Sequence, residues 1–378
     1  MKIAIFHPQI KTFGGGELIS LSIASLLSKD HNVDLYSPYH INIEELEKFF
    51  NIKLRNLKLR NLGRICTLVT KSPTFGTYKM AFYVRKMLKI KGYDLIIDTG
   101  TNGMFYKKIK SKTICYINYK QFPNLKKGWK GLTNFVLINP KKAFVYDTII
   151  SNSNFTRDEV KKYSSGKESI IINPPVEVEK IKSNQHKKDY IVTIGRLTSD
   201  KKIEIMIDAF KKLYDIGAKN WKFHIIGVFR RDVSLYNLEY YDMLKSKAKA
   251  YPIYFHENMT HNTLLRFISI CKIYWHARGY GESNPDEMEN FGIATVEAMA
   301  AGCVPVVINK GAQPEIVEHG KNGFVWNDPN ELIKYAQQLT KNKKLMGQLS
   351  KEAVKKSQKY SSKIFEKKIE EVVYKLLN

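Results

Sequence analysis

Two carboxylates near residue 290 have a spacing that suits a sugar–phosphate ligand. Glu289 stands directly before the turn Asn290–Phe291–Gly292–Ile293, and Glu297 follows inside a segment rich in helix formers. The first amides of that helix and the positive end of its dipole favour an anionic group, most naturally a phosphate. Gly292 lets such a group approach the backbone closely. The pattern predicts a sugar diphosphate, with its phosphates on the amides and its hydroxyls on the two carboxylates.

This Glu pair with its Phe-Gly-Ile turn resembles the nucleotide-sugar signature of the retaining family-four glycosyltransferases. The resemblance implies an α/β chain with the GT-B fold, in which two Rossmann-like doubly wound domains face each other across a cleft. It also implies that Glu289 binds the donor sugar and stabilises positive charge at the anomeric carbon, while Glu297 binds the ribose hydroxyls. The alternative is an ordinary α/β helix with one capping and one exposed glutamate.

A second motif places two cations after a strand. The predicted strand Tyr190–Ile194 runs into Gly195 and Arg196, and Lys201 stands five residues beyond that arginine. The motif resembles the family element whose Arg and Lys bind the donor diphosphate, and fixed cations there stabilise the departing diphosphate without a metal ion. A solvated basic loop is the alternative, but only ten of the 62 basic residues are arginines, which gives Arg196 more weight.

The beginning of the chain predicts the first βα unit of a doubly wound domain. An apolar strand over residues 2–6 is followed by three glycines, Gly14, Gly15 and Gly16, and then by an apolar helix. The glycine spacing does not match a dinucleotide fingerprint, so NAD binding is not supported. By resemblance, Gly15 and Gly16 contact the donor; a plain flexible loop is the alternative.

A fourth landmark contains a departure from the family pattern. The segment 114–123, with Ser-Asn-Ser-Asn-Phe-Thr at 151–156 and Pro-Pro-Val at 174–176, resembles the lipid-linked-oligosaccharide α-mannosyltransferase branch. Asn118 stands where that branch usually has His, and an amide can bind a sugar hydroxyl but cannot accept a proton near neutral pH. The resemblance implies GDP-mannose as the donor. A UDP-sugar donor for glucosyl or N-acetylhexosaminyl transfer, and a non-catalytic sugar-nucleotide-binding protein, stay open as alternatives.

The reaction predicted from these motifs is metal-independent transfer of a hexose, with retained configuration, to a hydroxyl of a glycan or lipid-linked acceptor. No Asp-x-Asp element stands at a strand end, so no metal ligands and no cofactor besides the nucleotide sugar are expected. The turn from His256 to Met259 is the candidate for contacting the base. His276, just ahead of the Glu289 signature, is interpreted as structural.

Size and cysteine usage fit a protein of two domains in a reducing compartment. The chain has 378 residues, of which 43% are hydrophobic, and no uncharged apolar run reaches the length of a membrane span. The four cysteines are scattered without metal-ligand spacing, which indicates reduced thiols and a cytoplasmic location. The first strand meets His7 and Pro8 at once, so it is not expected to be a secretory signal.

Strand-like and helical segments alternate along the chain, which indicates parallel sheets. The predicted domains are 1–172, a linker at 173–188, a nucleotide-sugar-binding domain at 189–356, and a C-terminal segment, 357–378, that packs back on the first domain. The predicted strands span 2–6, 32–36, 94–97, 113–117, 147–151, 169–172, 190–194, 222–226, 253–255, 272–276 and 304–308. The predicted helices span 17–28, 202–215, 260–269, 294–301, 330–340 and 345–376.

The net charge of +26 is unevenly distributed. No acidic residue occurs between Glu47 and Asp94 or between Asp98 and Asp147, and aromatic and leucine side chains are interleaved with the basic ones there. Such a surface suits peripheral attachment to the anionic, cytoplasmic face of a membrane. A solvated lysine-rich face is the second interpretation. Non-specific nucleic-acid binding is third, because the sequence contains no nucleic-acid-binding module.

Overall fold

The protein is described here by a computed structural model that covers residues 1–7, 10, 14–37, 42–54, 56–61, 90, 92–100, 108–118, 145–162, 164, 166–229 and 237–378. The chain forms two compact units. Unit 1 comprises Met1–Pro175 and Lys363–Asn378, and unit 2 comprises Val176–Ser362. Most of the segment predicted as a linker, 173–188, therefore belongs to unit 2, because its apolar side chains Val176, Val178 and Ile181 are buried in the core of that unit.

Unit 1 contains a parallel sheet of seven strands in the order β3-β2-β1-β4-β5-β6-β7. The strand order reverses between β1 and β4, and ligands of doubly wound sheets bind at such a switch point, beyond the carboxyl ends of the strands. The strands are β1 (Lys2–Phe6), β2 (Asn32–Ser37), β3 (Leu57–Asn61), β4 (Leu95–Asp98), β5 (Lys112–Ile117), β6 (Thr148–Ser151) and β7 (Ile170–Ile171).

Four helices of unit 1 lie in the described ranges: α1 (Gly15–Leu27), α2 (Ile43–Phe50), α3 (Asn154–Lys161) and the C-terminal helix α11 (Ser362–Leu377). Helix α11 buries Phe365, Ile369 and Val373 in the same core as β1 and β4. The ring of Phe365 lies 6.3 Å from that of Tyr116 on β5. The last helix of the chain therefore completes the core of unit 1.

Unit 2 contains a parallel sheet of six strands in the order β10-β9-β8-β11-β12-β13, with its switch point between β8 and β11. The strands are β8 (Tyr190–Arg196), β9 (Lys222–Val228), β10 (Ile253–Glu257), β11 (Ile273–His276), β12 (Val304–Ile308) and β13 (Phe324–Trp326). The helices are α4 (Ile203–Asp215), α5 (Leu238–Ala248), α6 (His261–Ser269), α7 (Ile293–Ala300), α8 (Gln313–Ile316), α9 (Pro329–Lys341) and α10 (Lys343–Ser357).

The single helix predicted over 345–376 is wrong. Helix α10 ends at Ser357, a 3₁₀ turn follows at Gln358–Tyr360, and α11 begins at Ser362. The break is stabilised by tertiary contacts that a helical pattern does not reveal: Tyr360 is buried, and the amide of Ser362 donates to the carbonyl oxygen of Val176 at 2.9 Å. One long amphipathic pattern thus contains two helices that belong to different units.

The buried side chain of Lys187 holds the first segment of unit 2 against the ends of helices α6 and α7. Its ammonium donates to the carbonyl oxygens of Ser269 at 3.0 Å, Cys271 at 2.7 Å and Ala301 at 2.7 Å. Burial lowers the pKa of this ammonium. Three carbonyl partners satisfy its three donors, as a buried ammonium requires.

Among the described residues, no helix is both long and apolar enough to cross a bilayer. The cysteines in the described ranges, Cys115, Cys271 and Cys303, are free and buried. The fourth cysteine lies outside the described residues, as do most of the two acid-free stretches.

Candidate active site

The charged residues predicted in unit 2 stand at the switch point of its sheet. Arg196 is the last residue of β8, His276 is the last residue of β11, and these strands are neighbours. Lys201 ends a 3₁₀ turn at Ser199–Lys201, just before α4, and Glu289 precedes α7. A small cavity in unit 2 is lined by Arg196, Lys201 and His276 among others. The strand ends thus bring together residues that are almost one hundred positions apart.

Glu289 is the centre of this cluster. Its Oε2 accepts a hydrogen bond from the Lys201 ammonium at 2.7 Å and lies 3.3 Å from Nε2 of His276. Its Oε1 lies 3.7 Å from Nη1 of Arg278. The carboxylate is 17% exposed, so it is partly open to a ligand while its partners fix its orientation.

The surrounding cations keep Glu289 ionised. Burial alone would raise the pKa of its carboxyl, but Lys201 and Arg278 outweigh that effect and hold the pKa well below its usual range. Burial lowers the pKa of Lys201, and Glu289 opposes that shift. Burial also lowers the pKa of His276, so its imidazole is neutral near pH 7 and donates through Nε2. The site therefore holds a carboxylate against an ammonium at neutral pH.

Asp200 connects the two arginines of the cluster. Its Oδ2 lies 3.2 Å from Nε of Arg278 and 3.8 Å from Nη2 of Arg196. The side chain of Arg278 is 7% exposed, whereas that of Arg196 is 30% exposed. Arg196 is thus the guanidinium that an incoming anion can reach, and Arg278 is held inside by two carboxylates.

The turn before α7 has the geometry that its glycine allows. Gly292 has φ of +111°, in the left-handed region, and caps the helix that begins at Ile293. A Cβ on Gly292 would lie 2.3 Å from Nε2 of Gln313, which donates to the carbonyl oxygen of Phe291 at 3.1 Å. Asn290 and Phe291 are buried, and Phe291 packs in a hydrophobic core cluster of unit 2. First-turn amides held in this way favour an anion.

Glu297 lies within α7 and is 6% exposed. Its Oε1 is 2.8 Å from Nε2 of His261, the first residue of α6. Met259 lies just before α6 in the turn that follows β10. The predicted turn at His256–Met259 begins later than expected, because His256 and Glu257 are still paired in β10.

The predicted residues of unit 1 lie together at the carboxyl edge of its sheet. Gly15 and Gly16 open helix α1, and Asn118 follows β5. A Cβ on Gly16 would lie 3.1 Å from Nδ2 of Asn118 and 3.5 Å from Cε1 of His7, which shows how closely the backbone approaches them. The amide of Asn118 donates to the carbonyl oxygen of Thr99 at 3.2 Å.

Three residues of the unit 2 cluster were not predicted: Arg278, Asp200 and His261. Arginine is scarce in this chain, and Arg278 follows a buried strand by two positions, so its residue type and place were an available signal. Neither Asp200 nor His261 is distinguishable by spacing alone. His276, interpreted from the sequence as structural, contacts the Glu289 carboxylate directly.

Residues 176–356, nearly the whole of unit 2, match the family model described as Glycosyl transferases group 1. One relative, alpha-monoglucosyldiacylglycerol synthase of Acholeplasma laidlawii, is 30% identical over 95 residues, which are 25% of this chain and 24% of that protein. The chain thus spans about a quarter of that relative. Spore coat protein SA of Bacillus subtilis (strain 168) is 20% identical over 372 residues, 90% of this chain and 89% of that protein.

Solved structures share the fold over the whole chain. The structure of Anabaena Alr3699/HepE in complex with UDP-glucose superimposes with a TM-score of 0.75 at 17% identity, covering 100% of both chains. WaaG, a glycosyltransferase involved in lipopolysaccharide biosynthesis, superimposes with a TM-score of 0.72 at 12% identity, covering 97% of this chain and 98% of that one. Unit 2 is therefore similar to the group 1 glycosyl transferases, and the chain as a whole has the α/β fold of two Rossmann-like domains that GT-B structures share.

Proposed function

We propose that this protein is a glycosyltransferase that moves a hexose from a nucleoside diphosphate sugar to an acceptor hydroxyl and retains the α configuration. The observation that carries the proposal is the contact between Lys201 and Glu289, 2.7 Å apart at the carboxyl ends of β8 and β11. A cation suited to a diphosphate and a carboxylate suited to a sugar thus lie side by side. The family match over unit 2 supports this assignment.

In this proposal the diphosphate is held by Arg196, Lys201 and the amides of Phe291, Gly292 and Ile293. Negative charge grows on the departing diphosphate as the sugar bond breaks, and cations already in place stabilise it without reorganisation. The guanidinium of Arg196 is exposed enough to donate hydrogen bonds to two phosphate oxygens, and the Lys201 ammonium acts as a point charge. The departing phosphate itself accepts the proton of the acceptor hydroxyl.

Two carboxylates have separate roles in the donor complex. Glu289, ionised at neutral pH because of its cationic partners, binds the donor-sugar hydroxyls and stabilises positive charge at the anomeric carbon. Glu297 binds the ribose hydroxyls, and the backbone turn at Met259 contacts the base. We also assign donor contacts to Asn290 of unit 2 and to Gly15, Gly16 and Asn118 of unit 1.

The donor is either the GDP-mannose expected from the sequence resemblance or a UDP-sugar. A UDP-sugar is favoured by the comparisons: HepE was solved with UDP-glucose, and the relative with the highest identity quoted above is named as a monoglucosyldiacylglycerol synthase. We therefore propose a nucleoside diphosphate hexose and leave the base and the sugar to be measured.

The test is a thermal-shift screen of the full chain against UDP-glucose, UDP-N-acetylglucosamine, GDP-mannose and ADP-glucose, with and without EDTA. A donor at a hundred times its Kd should stabilise the folded protein by about 2.7 kcal/mol. We expect one base to be preferred and the stabilisation to persist in EDTA, because the proposed diphosphate partners are cations and amides. If no nucleotide sugar raises Tm, donor binding is refuted. If a donor raises Tm without EDTA but not in its presence, metal independence is refuted.

We propose that the acceptor is a glycan or a lipid-linked glycan reached at the anionic, cytoplasmic face of a membrane. The net charge of +26 and its concentration in two acid-free stretches support this location. The name of the relative from Acholeplasma laidlawii refers to a diacylglycerol lipid, although the match covers only 25% of this chain. Vesicle binding, discussed below, tests the proposal separately from donor chemistry.

A further inference from the structure

The carboxylate of Glu297 is buried and held by a single side chain in the described part of unit 2. His261 Nε2 contacts its Oε1 at 2.8 Å, and no hydrogen-bond partner among the described residues contacts its Oε2. A buried carboxylate needs a donor to offset its lost hydration. One oxygen is thus fixed by His261, and the other is available to a ligand.

The position of His261 is itself fixed by the turn that precedes it. Asn258, with φ of +53°, holds this turn: its side chain accepts from the amide of Phe229 at 3.0 Å and donates to the carbonyl oxygen of Phe229 at 3.0 Å. Thr260 then caps α6 by accepting from the amide of Thr263. The imidazole therefore projects from an anchored helix start.

We propose that His261 is a positioning residue for the nucleotide: it orients Glu297 so that the free carboxylate oxygen binds the ribose hydroxyls of the donor. The inference rests on the proposed function, which assigns the ribose to Glu297. In this inference His261 does not contact the ligand itself. It connects the turn at Met259, which contacts the base, to helix α7, which carries the ribose-binding Glu297.

Protonation of His261 strengthens its hydrogen bond to the carboxylate of Glu297. Burial lowers the pKa of His261, but the hydrogen bond and charge of Glu297 outweigh burial, so the pKa is raised overall. The imidazolium is therefore present to a higher pH than in a free histidine, and its bond to the carboxylate is charge-assisted. Such bonds are shorter and stronger than neutral ones, so this bond holds the Glu297 carboxylate in one orientation.

The test compares binding of ribose and 2′,3′-dideoxyribose nucleotides by isothermal titration calorimetry. Wild type should bind UDP or GDP, whichever base it prefers, more tightly than the dideoxy analogue. His261→Leu and His261→Asn, which cannot reach Glu297, should weaken binding of the ribonucleotide about tenfold, since hydrogen bonds to charged groups are the strong class. Their affinity for the dideoxy analogue should change little. His261→Gln, whose amide reaches about as far as Nε2, should keep the ribose preference.

Two further variants separate the inference from its foundation. Asn262→Ala, at the exposed next position of α6, should bind like wild type. Glu297→Ala, which removes both carboxylate oxygens, should lose the ribose preference; if it does not, the assignment of the ribose to Glu297 fails. If Glu297→Ala loses the preference while His261→Leu and His261→Asn both keep it, the positioning role of His261 is overturned. Loss of the preference in His261→Gln would equally contradict it.

Discussion

Glu289 is a carboxylate whose charge state is set by its neighbours. Lys201 and Arg278 approach it from two sides, and neutral His276 donates to it. Because these partners outweigh the effect of burial, the pKa of Glu289 is well below its usual range. The ionised form is therefore kept through the neutral range and into acid, and protonation would remove the partner of Lys201 and the proposed sugar contact.

Removing the charge of Arg278 should shift the pH profile. Arg278→Met removes one of the two cations that depress the pKa of Glu289, so that pKa should rise and the acid limb of kcat/KM should move to higher pH. Arg278→Lys should restore part of the wild-type profile. The measurement is kcat/KM for donor hydrolysis from pH 4.5 to 8. Arg266→Met, at an exposed position of α6, is the matched control and should leave the profile unchanged; an unshifted limb in Arg278→Met would contradict the charge argument.

The proposed contacts of Arg196 and Lys201 with the diphosphate should affect the rate of turnover rather than the stability of the fold. Arg196→Ala and Lys201→Ala should each lower kcat for donor hydrolysis by about two to three decades, the usual cost of removing one preorganised partner of developing charge. Steady-state kinetics measures this, with Lys212→Ala on the exposed face of α4 as the control lysine. Near-normal turnover in both variants, with intact Tm, would remove these residues from the diphosphate site.

The sequence predicted residues whose types occur in a local motif and missed residues that act through distant contacts. Glu289, Arg196 and Lys201 were predicted as site residues from short motifs and their resemblance to the family, and the structure places them at one edge of the unit 2 sheet. Arg278 and His261 were not, because their importance comes from partners, Asp200 and Glu297, that only the sheet brings near them. No pattern along the chain shows that His261 contacts the carboxylate of Glu297, which lies 36 positions further along.

At the scale of the elements, the start of α7 depends on one glycine. Gly292→Ala would place an L residue at φ of +111° and a Cβ 2.3 Å from Gln313 Nε2. Strain in the left-handed region costs about 1–3 kcal/mol, and the clash adds to it by moving the side chain that holds the turn. We expect a clear loss of stability by urea denaturation and weaker donor binding.

Gly217→Ala separates the two causes. Gly217 has φ of +124°, but nothing lies within 4 Å of the position of its Cβ. This variant should show the backbone cost alone and bind the donor normally. Equal losses in the two variants would mean that the contact with Gln313 contributes nothing to the turn.

Helices and strands with a clear pattern of apolar residues were predictable from the sequence. Strands at the edge of a sheet and helix ends stabilised by tertiary contacts were not. All the predicted strands coincide with strands of the two sheets, because buried parallel strands are nearly continuous apolar runs. Strands β3 and β13, each at the edge of its sheet, were not predicted. In β3, Leu57 to Asn61 alternates with exposed basic residues and is typical of a basic surface segment, and β13 has only three residues. The break between α10 and α11 was missed because Val176, far away in sequence, stabilises it.

At the scale of the whole molecule, the basic charge should be visible in membrane binding. Each Lys or Arg close to an anionic bilayer contributes about 1 kcal/mol, and the attraction fades within a Debye length. The protein should therefore sediment with phosphatidylserine-containing vesicles at low salt and be released as salt rises. Combined Lys53→Glu, Arg55→Glu and Lys58→Glu substitutions should weaken this binding while donor hydrolysis is unchanged. Arg60 is left intact because its Nε lies 3.2 Å from Asp34.

A reversal of equal size elsewhere controls for net charge. Lys343, Lys344 and Lys351 are exposed on α10, outside the acid-free stretches. Changing these three to Glu should reduce vesicle binding much less than the changes near β3. If both triple variants lose binding equally, the attraction is unspecific; if wild type does not sediment at low salt, the proposed membrane surface is refuted.

The measurement that tests the central claim most directly is time-resolved proton NMR of donor hydrolysis by the full chain, using the nucleotide sugar selected in the thermal-shift screen. Water replaces the unknown acceptor, so the anomer of the first hexose released reports the stereochemistry. A retaining enzyme that uses the cluster around Glu289 should release the α anomer first, and the β anomer should appear only through later mutarotation. Initial release of the β anomer, or no release of nucleoside diphosphate from any donor, would contradict the proposed function.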